Sequence, residues 1–387
     1  MARVIITGEK HLSIPNHPRS SRHTLLYSKP FPSGRYPLEN MWLPLGSISS
    51  WQPTLKKNHL IHSFKKIQYT KKPWLLTVED HSFLYLNPRN KIEALVYATL
   101  NNRIGLENCK KLIAISDYAK MRCLNWIQEL NNDLWEKVIH KVDIIHPNFP
   151  IRAKHPKKYN RQQKLQLIFI GNHIARKGGI VALRLAKKAE KLRLPLVIHI
   201  ISGLKHGPGV PTDFPEQTKY AEDLKLLELN NIVYHKILPN EKVIELLAQS
   251  DFQILATLHD TYGYSVIEGF SVATPAITTN VCALPEFVRH DENGYVLPLE
   301  LNERRHWNNW LHGDEVKNIE YWDILNSTYE QLANKALEVI FNFLERQDKS
   351  EHYEFLSAEA LSHANNTNNS QKQNELFDNL YAELAEV

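Results

Sequence analysis

Cysteine, methionine and long apolar runs are scarce in this sequence of 387 residues, which has three cysteines and three methionines. Cys109, Cys123 and Cys282 are odd in number and far apart, so they support neither a disulfide framework nor a zinc site. The longest apolar stretch, 194–203, contains a histidine and is about half as long as a membrane-spanning helix. The first ten residues hold too short an apolar run for a secretory signal. With 43% apolar and 23% charged residues, the sequence therefore predicts a folded, cytoplasmic protein with reduced thiols.

Charge is divided unevenly along the chain. Residues 1–155 hold 23 Lys and Arg against 11 Asp and Glu, a net charge of +12, whereas residues 156–387 hold 24 against 31, a net charge of −7. This split predicts an anionic partner on one side only, such as a phosphorylated acceptor, a polyanionic glycan or the inner face of an anionic membrane. No nucleic-acid motif accompanies the basic residues, so nucleic acid is not expected. A lysine-rich surface that binds nothing is the alternative.

Short apolar runs alternate with helical patterns in the second half, which is typical of a doubly wound parallel sheet. The predicted strands are 165–170, 196–201, 232–234, 252–256 and 276–278. The predicted helices are 180–194, 216–229, 241–249 (capped by Asn240) and 264–273.

The first half has a similar but less regular pattern. The predicted strands are 3–7, 60–62, 74–78, 112–115 and 142–145, and the predicted helices are 91–100 and 118–131. Residues 8–55, rich in Pro, Ser and His, are expected to form a long loop. Near the end of the chain, helical patterns at 327–361 and 375–386 flank an expected low-complexity break at 362–374.

These patterns predict an α/β protein with two Rossmann-like, doubly wound domains that face a cleft. The expected divisions are an N-terminal acceptor domain (1–150), a linker (151–163), a C-terminal ligand-binding domain (164–350) and a C-terminal helical segment (351–387).

Two segments carry residues suited to an anionic, hydroxyl-rich ligand. In the first, a strand ends at Gly171 and the basic pair Arg176–Lys177 precedes a helix, which is how α/β folds build anion sites. The glycine spacing is neither that of a Walker P-loop nor that of a dinucleotide fingerprint, so a turn with solvated basic side chains is the alternative. In the second, Asp260 lies in a loop and Glu268 in the following helix, whose start at Gly263 turns backbone amides toward a phosphate.

Residues 165–298 resemble the nucleotide-sugar-binding domain of the retaining glycosyltransferases of family 4, which have the GT-B fold. The resemblance rests on two carboxylates separated by seven residues, on the Thr274–Pro275 pair and on the Pro285–Glu286 pair. The first half resembles the family more loosely, at 73–81, 112–120 and 144–148.

The resemblance implies a role for each candidate residue. Lys177 would neutralise the departing diphosphate, Glu268 would hold the ribose and Asp260 the hydroxyl groups of the donor sugar, while residues 236–240 would lie against the base. His81 would lie near the reacting sugar. The remaining donor-binding residues would be Gly171, Asn172, Arg176, Gly263, Tyr264 and Ser265.

The implied activity is retaining transfer of a hexose from UDP- or GDP-hexose to a glycan, a lipid-linked acceptor or another hydroxyl group, as in polysaccharide biosynthesis. Fixed positive charge would stabilise the leaving group, and neither a metal nor a cofactor is expected. Asn172 stands where the family has arginine, Asp260 where it more often has glutamate, and Glu79–Asp80–His81 where it has histidine. These departures leave open a non-catalytic partner subunit that binds nucleotide sugar.

Overall fold

Two α/β units make up the chain in the computed structural model, which describes residues 1–9, 14–27, 59–160, 162–311 and 317–385. The first unit comprises Met1–Pro150 and Asn368–Val387, and the second comprises Ile151–Thr367. Residues 151–163, expected as a linker, group with the second unit. The expected C-terminal segment, 351–387, is shared between the two units.

A six-stranded parallel sheet forms the centre of the first unit. The strands are β1 (Arg3–Gly8), β2 (Thr24–Tyr27), β3 (His59–Phe64), β4 (Trp74–Val78), β5 (Cys109–Ala114) and β6 (Val142–Ile144), and the helices are α1 (Lys91–Asn101), α2 (Asp117–Leu130) and α3 (Asn132–Val138). The strands lie in the order β2-β1-β3-β4-β5-β6. The central strand β4 is buried along its whole length, as expected for a parallel sheet that is covered on both faces.

The five predicted strands of this unit are confirmed, and β2 was missed. The expectation of a loop over 8–55 is wrong at Thr24–Tyr27, which pairs with β1 at the edge of the sheet. Most of β2 is exposed, so it lacks the apolar run that marks a buried strand. Residues 10–13 and 28–55 of that expected loop lie outside the described residues.

The second unit has its own six-stranded parallel sheet. The strands are β7 (Leu165–Ile170), β8 (Leu196–Ile201), β9 (Ile232–His235), β10 (Phe252–Leu255), β11 (Ala276–Thr279) and β12 (Gly294–Leu297), and the helices are α4 (Gly179–Lys191), α5 (Ala221–Lys225), α6 (Asn240–Gln249), α7 (Tyr264–Ser271) and α8 (Leu284–Phe287). The strands lie in the order β12-β11-β10-β7-β8-β9. All five predicted strands are confirmed, and the sixth strand, β12, was not predicted.

The chain reverses its direction of travel across this second sheet between β7 and β10. From β7 it adds β8 and β9 on one side, and then crosses back to add β10, β11 and β12 on the other. In open α/β sheets, such a switch point leaves a crevice at the carboxyl ends of the two central strands, and ligands bind there. The loops that follow β7 and β10 are therefore the place to look for a site.

Three long helices end the chain: α9 (Ile319–Glu345), α10 (Lys349–Thr367) and α11 (Ser370–Ala385). The expected low-complexity break at 362–374 is wrong, because α10 continues to Thr367 and only two asparagines separate it from α11. Asn368 is fully buried, and its side-chain amide donates to the carbonyl oxygen of Pro147 at 2.8 Å. Its polar side chain thus fixes a tight turn. Among the described helices, none has the length and apolar character needed to cross a bilayer.

Candidate functional site

Two loops of the second unit are bonded to each other at the switch point. The loop after β7 contributes the carbonyl oxygen of Arg176, which accepts from the hydroxyl of Thr257 at 2.7 Å and from the backbone N–H of Leu258 at 3.3 Å. In return, Nη1 of Arg176 donates to the carbonyl oxygen of His259 at 3.0 Å. The loops after β7 and β10 are therefore bonded through residues that lie 81 to 83 positions apart in sequence.

Gly178 allows this close approach. Its φ is +85°, in the left-handed region that favours glycine, and a Cβ there would overlap the carbonyl group of Ala256 at the end of β10. Gly178 is also the N-cap of α4 and supplies no side-chain cap. The first N–H groups of this 13-residue helix are consequently left without a side-chain cap next to β10, where the helix dipole favours an anion.

Lys177 and Asp260 form an ion pair between the two loops. The side chain of Lys177 is 22% exposed and that of Asp260 is 7% exposed. Burial alone would raise the pKa of Asp260, but the positive charges of Lys177 and Arg176 outweigh it and hold this pKa below its ordinary value. Asp260 is therefore ionised at neutral pH. The structure thus pairs two residues to which the sequence assigned different ligand groups, the diphosphate for Lys177 and the donor sugar for Asp260.

A second helix begins beside Asp260. Gly263, with φ +88°, is the N-cap of α7 and provides no side-chain cap, so the amides at Tyr264 and Ser265 lie in its first turn. A Cβ on Gly263 would approach Leu284 Cδ2 to 2.6 Å, so a larger residue does not fit. The predicted start of this helix is confirmed.

Glu268, one turn further along α7, contacts the beginning of α6. Its Oε1 atom accepts from the side-chain amide of Asn240 at 3.0 Å. The expectation that Asn240 caps α6 is wrong, because Pro239 occupies the cap position and Asn240 is the first helical residue. The half-buried carboxylate thus lies beside the loop after β9, as the predicted ribose and base contacts require.

A small-residue surface lies at the ends of β7, β8 and β9. A Cβ at Gly203 would lie 3.4 Å from Oδ1 of Asn172 and 3.6 Å from Cδ1 of Ile237, and a Cβ at Gly171 would lie 2.9 Å from that of Lys177. Ile237 is 72% exposed, although it is a large apolar residue. Gly203, Asn172 and Ile237 therefore lie close together, and nothing in the sequence singled out the isoleucine within the segment 236–240.

His81 belongs to the first unit, where it follows the carboxyl end of β4. Its ring stacks on Trp126, with centroids 4.5 Å apart and planes 12° apart, and its Nδ1 lies 3.3 Å from Nη2 of Arg122. Glu79, two residues before it, accepts from Nζ of Lys65 at 2.7 Å. His81 is thus held by its own unit, and its catalytic role stays a prediction.

Asp213, which the sequence did not single out, is a buried acid near Arg176. Burial raises the pKa of this carboxyl group to about 7, and its Oδ2 accepts from the N–H of Gly207 at 3.1 Å. Because the folded chain holds this proton more tightly than the unfolded chain, the stabilising contribution is complete below about pH 4. It is lost as the pH rises to about 7.

Asp213→Asn is expected to remove this pH dependence. As the pH rises from 4 to 7.5, the free energy of unfolding of the wild type should decrease relative to that of the variant. The decrease should be at most about 4 kcal/mol, the value for a pKa difference of about three between the folded and unfolded chains. Urea unfolding at several pH values measures this difference. Asp323→Asn, at an exposed position on α9, is the control and should run parallel to the wild type. An Asp213→Asn curve that also runs parallel would contradict the assignment.

Comparisons with known proteins relate the fold and the second unit to known families. Residues 151–305 match the family model described as "Glycosyl transferases group 1". Over 56 residues the chain is 34% identical to N-acetyl-alpha-D-glucosaminyl L-malate synthase of Bacillus anthracis, a match that spans 14% of this chain and only 15% of that relative.

Solved structures are similar over nearly the whole chain. HepE of Anabaena, in complex with UDP-glucose, has a TM-score of 0.57 at 12% identity. The match covers 99% of this chain and 100% of the HepE chain. A glycosyltransferase of Rickettsia africae has the same TM-score and identity, and the match covers 99% of this chain and 98% of that chain. The GtfA/B complex has a TM-score of 0.56 at 12% identity, but the chain spans only 58% of that protein. The chain therefore has the expected GT-B fold, and its second unit contains a segment that matches the group 1 glycosyltransferase model.

Proposed function

We propose that this protein is a retaining glycosyltransferase, which transfers a hexose from UDP- or GDP-hexose to a hydroxyl group of a glycan or lipid-linked acceptor. The observation that carries the proposal is the Lys177–Asp260 pair at the switch point, with the start of α7 and Glu268 next to it. The match of residues 151–305 to the group 1 glycosyltransferases supports it, and the UDP-glucose bound by HepE favours a donor of this kind.

The diphosphate of the donor would bind where positive charge and backbone amides meet. Lys177 supplies a point charge, Arg176 lies next to it, and the uncapped starts of α4 and α7 supply N–H groups. In the structure, Asp260 forms an ion pair with Lys177. When a diphosphate binds, the ammonium group is shared between the two anions, so Asp260 also orients Lys177.

The nucleoside would occupy the ends of β8 and β9. Glu268 would accept hydrogen bonds from the ribose hydroxyl groups, and Asn240 fixes its carboxylate. The base would lie on the exposed side chain of Ile237, beside Gly203. Asp260 would accept from hydroxyl groups of the hexose.

The reaction breaks the bond between the anomeric carbon and the phosphate oxygen and forms a bond from that carbon to the acceptor oxygen on the same face. Charge moves onto the diphosphate as the bond breaks, so fixed positive charge there lowers the barrier. The leaving phosphate oxygen takes the proton of the acceptor hydroxyl group, which balances the step without a separate base. His81 stays a predicted contact near the reacting sugar.

The basic residues of the first 155 positions are proposed to bind the acceptor, either an anionic glycan or a lipid-linked one at an anionic membrane surface. A non-catalytic nucleotide-sugar-binding subunit is the second candidate. It is favoured by Asn172, which stands where the resemblance implies arginine, and by the stacking of His81 on Trp126.

A turnover assay with UDP- and GDP-hexoses distinguishes these functions. Release of the nucleoside diphosphate is measured with soluble glycans and with lipid-linked acceptors in neutral or anionic vesicles, and NMR gives the anomeric configuration of the product. We expect transfer with retention, and faster transfer in anionic vesicles. Inversion would contradict the retaining mechanism, and equal rates in both vesicles would contradict the membrane contact. Nucleotide binding without release or transfer in any arm would favour the non-catalytic subunit.

A further inference from the structure

Three side chains that commonly bind metal ions lie together in the second unit. They are His259, Cys282 and His306, and one ligand atom of each lies within 4.8 Å of the other two. The Sγ atom of Cys282 is 3.5 Å from Nδ1 of His259. In a tetrahedral site with Zn–S near 2.3 Å and Zn–N near 2.0 Å, ligand atoms lie about 3.3–3.6 Å apart. The distance between Cys282 and His259 thus already matches a zinc coordination shell, and His306 lies within 4.8 Å of both.

The three residues come from three different segments of the chain. His259 lies in the loop after β10, Cys282 follows β11, and His306 lies in the segment after β12. They are separated by more than 20 residues at each step, so no short motif such as Cys-x-x-Cys marks them. This is why the sequence, with three scattered cysteines, predicted no metal.

The backbone holds the cysteine and one histidine in place. Cys282 is buried, with φ +54°, a left-handed conformation that costs a residue other than glycine roughly 1–2 kcal/mol. Its N–H donates to the carbonyl oxygen of Arg305 at 2.8 Å, which ties it to the residue before His306. His306 is also buried, and its own N–H donates to Oδ1 of Asn302 at 3.1 Å. These hydrogen bonds therefore hold the backbone of both residues in place.

We propose that His259, Cys282 and His306 bind one zinc ion. A thiolate and two imidazoles are ligands that zinc prefers, and the thiol of Cys282 would release its proton to solvent when the ion binds. The group has three members among the residues that the structure describes, which leaves a fourth coordination position for water. The proposal is independent of the glycosyltransferase assignment, because it concerns only the metal content and stability of the chain.

A zinc ion at this position would connect three segments of the second unit. His259 precedes Asp260, so zinc would fix the Asp260 loop to the segments after β11 and β12. The alternative is a metal-free aromatic cluster, since Trp310 packs on both histidines, with ring centroids 5.5 Å from His259 and 4.4 Å from His306. The two alternatives differ in whether the folded protein binds a metal.

Metal analysis of the full-length protein tests the proposal. The wild type is stripped with a chelator, loaded with zinc, passed through a desalting column and analysed by plasma mass spectrometry. We expect about one zinc per chain in the wild type and in the control Cys123→Ala, which removes a buried cysteine of the first unit. Cys282→Ala and His306→Gln should each lose most of the zinc, and zinc should raise the melting temperature of the wild type but not of Cys282→Ala.

Cobalt substitution of the wild type provides a test that needs no variant to fold. A thiolate-to-cobalt charge-transfer band together with the visible bands of tetrahedral cobalt would support the assigned ligands. A folded wild type that retains less than a tenth of an equivalent of zinc and shows no such band would overturn the proposal, as would Cys282→Ala binding zinc as tightly as the wild type.

Discussion

Lys177→Ala is expected to reduce donor turnover by 100-fold or more. The side chain supplies the fixed positive charge at the place where the proposed diphosphate leaves, and loss of one such group costs about 3 kcal/mol of transition-state stabilisation. The effect should appear mainly in kcat, because the charge on the leaving group is largest in the transition state. Release of the nucleoside diphosphate from the donor, measured with saturating acceptor, checks this.

Lys177→Ala also leaves the buried carboxylate of Asp260 without its ion-pair partner, so the experiment must distinguish a loss of catalysis from a loss of stability. The double variant Lys177→Ala/Asp260→Asn removes that charge and should recover stability, yet remain inactive. Lys187→Ala, at an exposed position on α4, is the matched control and should retain wild-type turnover. Full turnover by a folded Lys177→Ala protein would refute the role of this lysine.

Gly178→Ala is expected to destabilise the second unit by about 2–5 kcal/mol. The left-handed φ of +85° costs alanine roughly 1–2 kcal/mol, and the new Cβ overlaps the Ala256 carbonyl group, where overpacking adds roughly 1–3 kcal/mol. Relief of the overlap would push α4 away from β10 and so separate Lys177 from Asp260. Denaturant unfolding monitors the loss of stability, and the turnover assay monitors the separation.

Gly209→Ala distinguishes the backbone strain at a left-handed φ from the overlap of the new Cβ with a neighbouring atom. Gly209 has a similar φ of +78°, but nothing lies within 4 Å of the position that its Cβ would occupy. This control should therefore lose only the roughly 1–2 kcal/mol of backbone strain and keep its turnover. If the two variants were equally stable, the close approach of α4 and β10 would not be the reason for glycine at position 178.

The sequence predicted the central strands of both sheets better than the strands at their edges. Buried parallel strands such as β7 and β10 are short, mostly apolar segments with a single glutamine each, so their hydrophobicity alone predicts them. The edge strand β2 is largely exposed and carries no such pattern. The asparagine-rich stretch near 368 has the composition of a low-complexity break, but tertiary hydrogen bonds turn it into a helix junction.

For the candidate site, the sequence did not predict how Lys177, Asp260 and Glu268 contact their neighbours, and their roles stay predictions. The start of α7 was predicted from Gly263, and that of α4 from the apolar spacing that follows the basic pair Arg176–Lys177. The ion pair of Lys177 with Asp260 and the hydrogen bond of Asn240 with Glu268 join residues 83 and 28 positions apart, and no sequence pattern relates them. The same holds for His259, Cys282 and His306, whose proximity depends on the order of β10, β11 and β12 in the sheet.

The most direct test of the central claim, a nucleotide-sugar site at the switch point of the second unit, is calorimetric titration of the protein with UDP, GDP and ADP. The wild type should bind UDP or GDP. Glu268→Ala should bind at least tenfold more weakly, because a hydrogen bond to a charged group contributes roughly 1.5–3 kcal/mol. Glu245→Ala, which removes an exposed glutamate of α6, should bind like the wild type. A folded wild type that binds none of the three nucleotides, or a Glu268→Ala variant that binds as tightly as the wild type, would contradict the site proposed here.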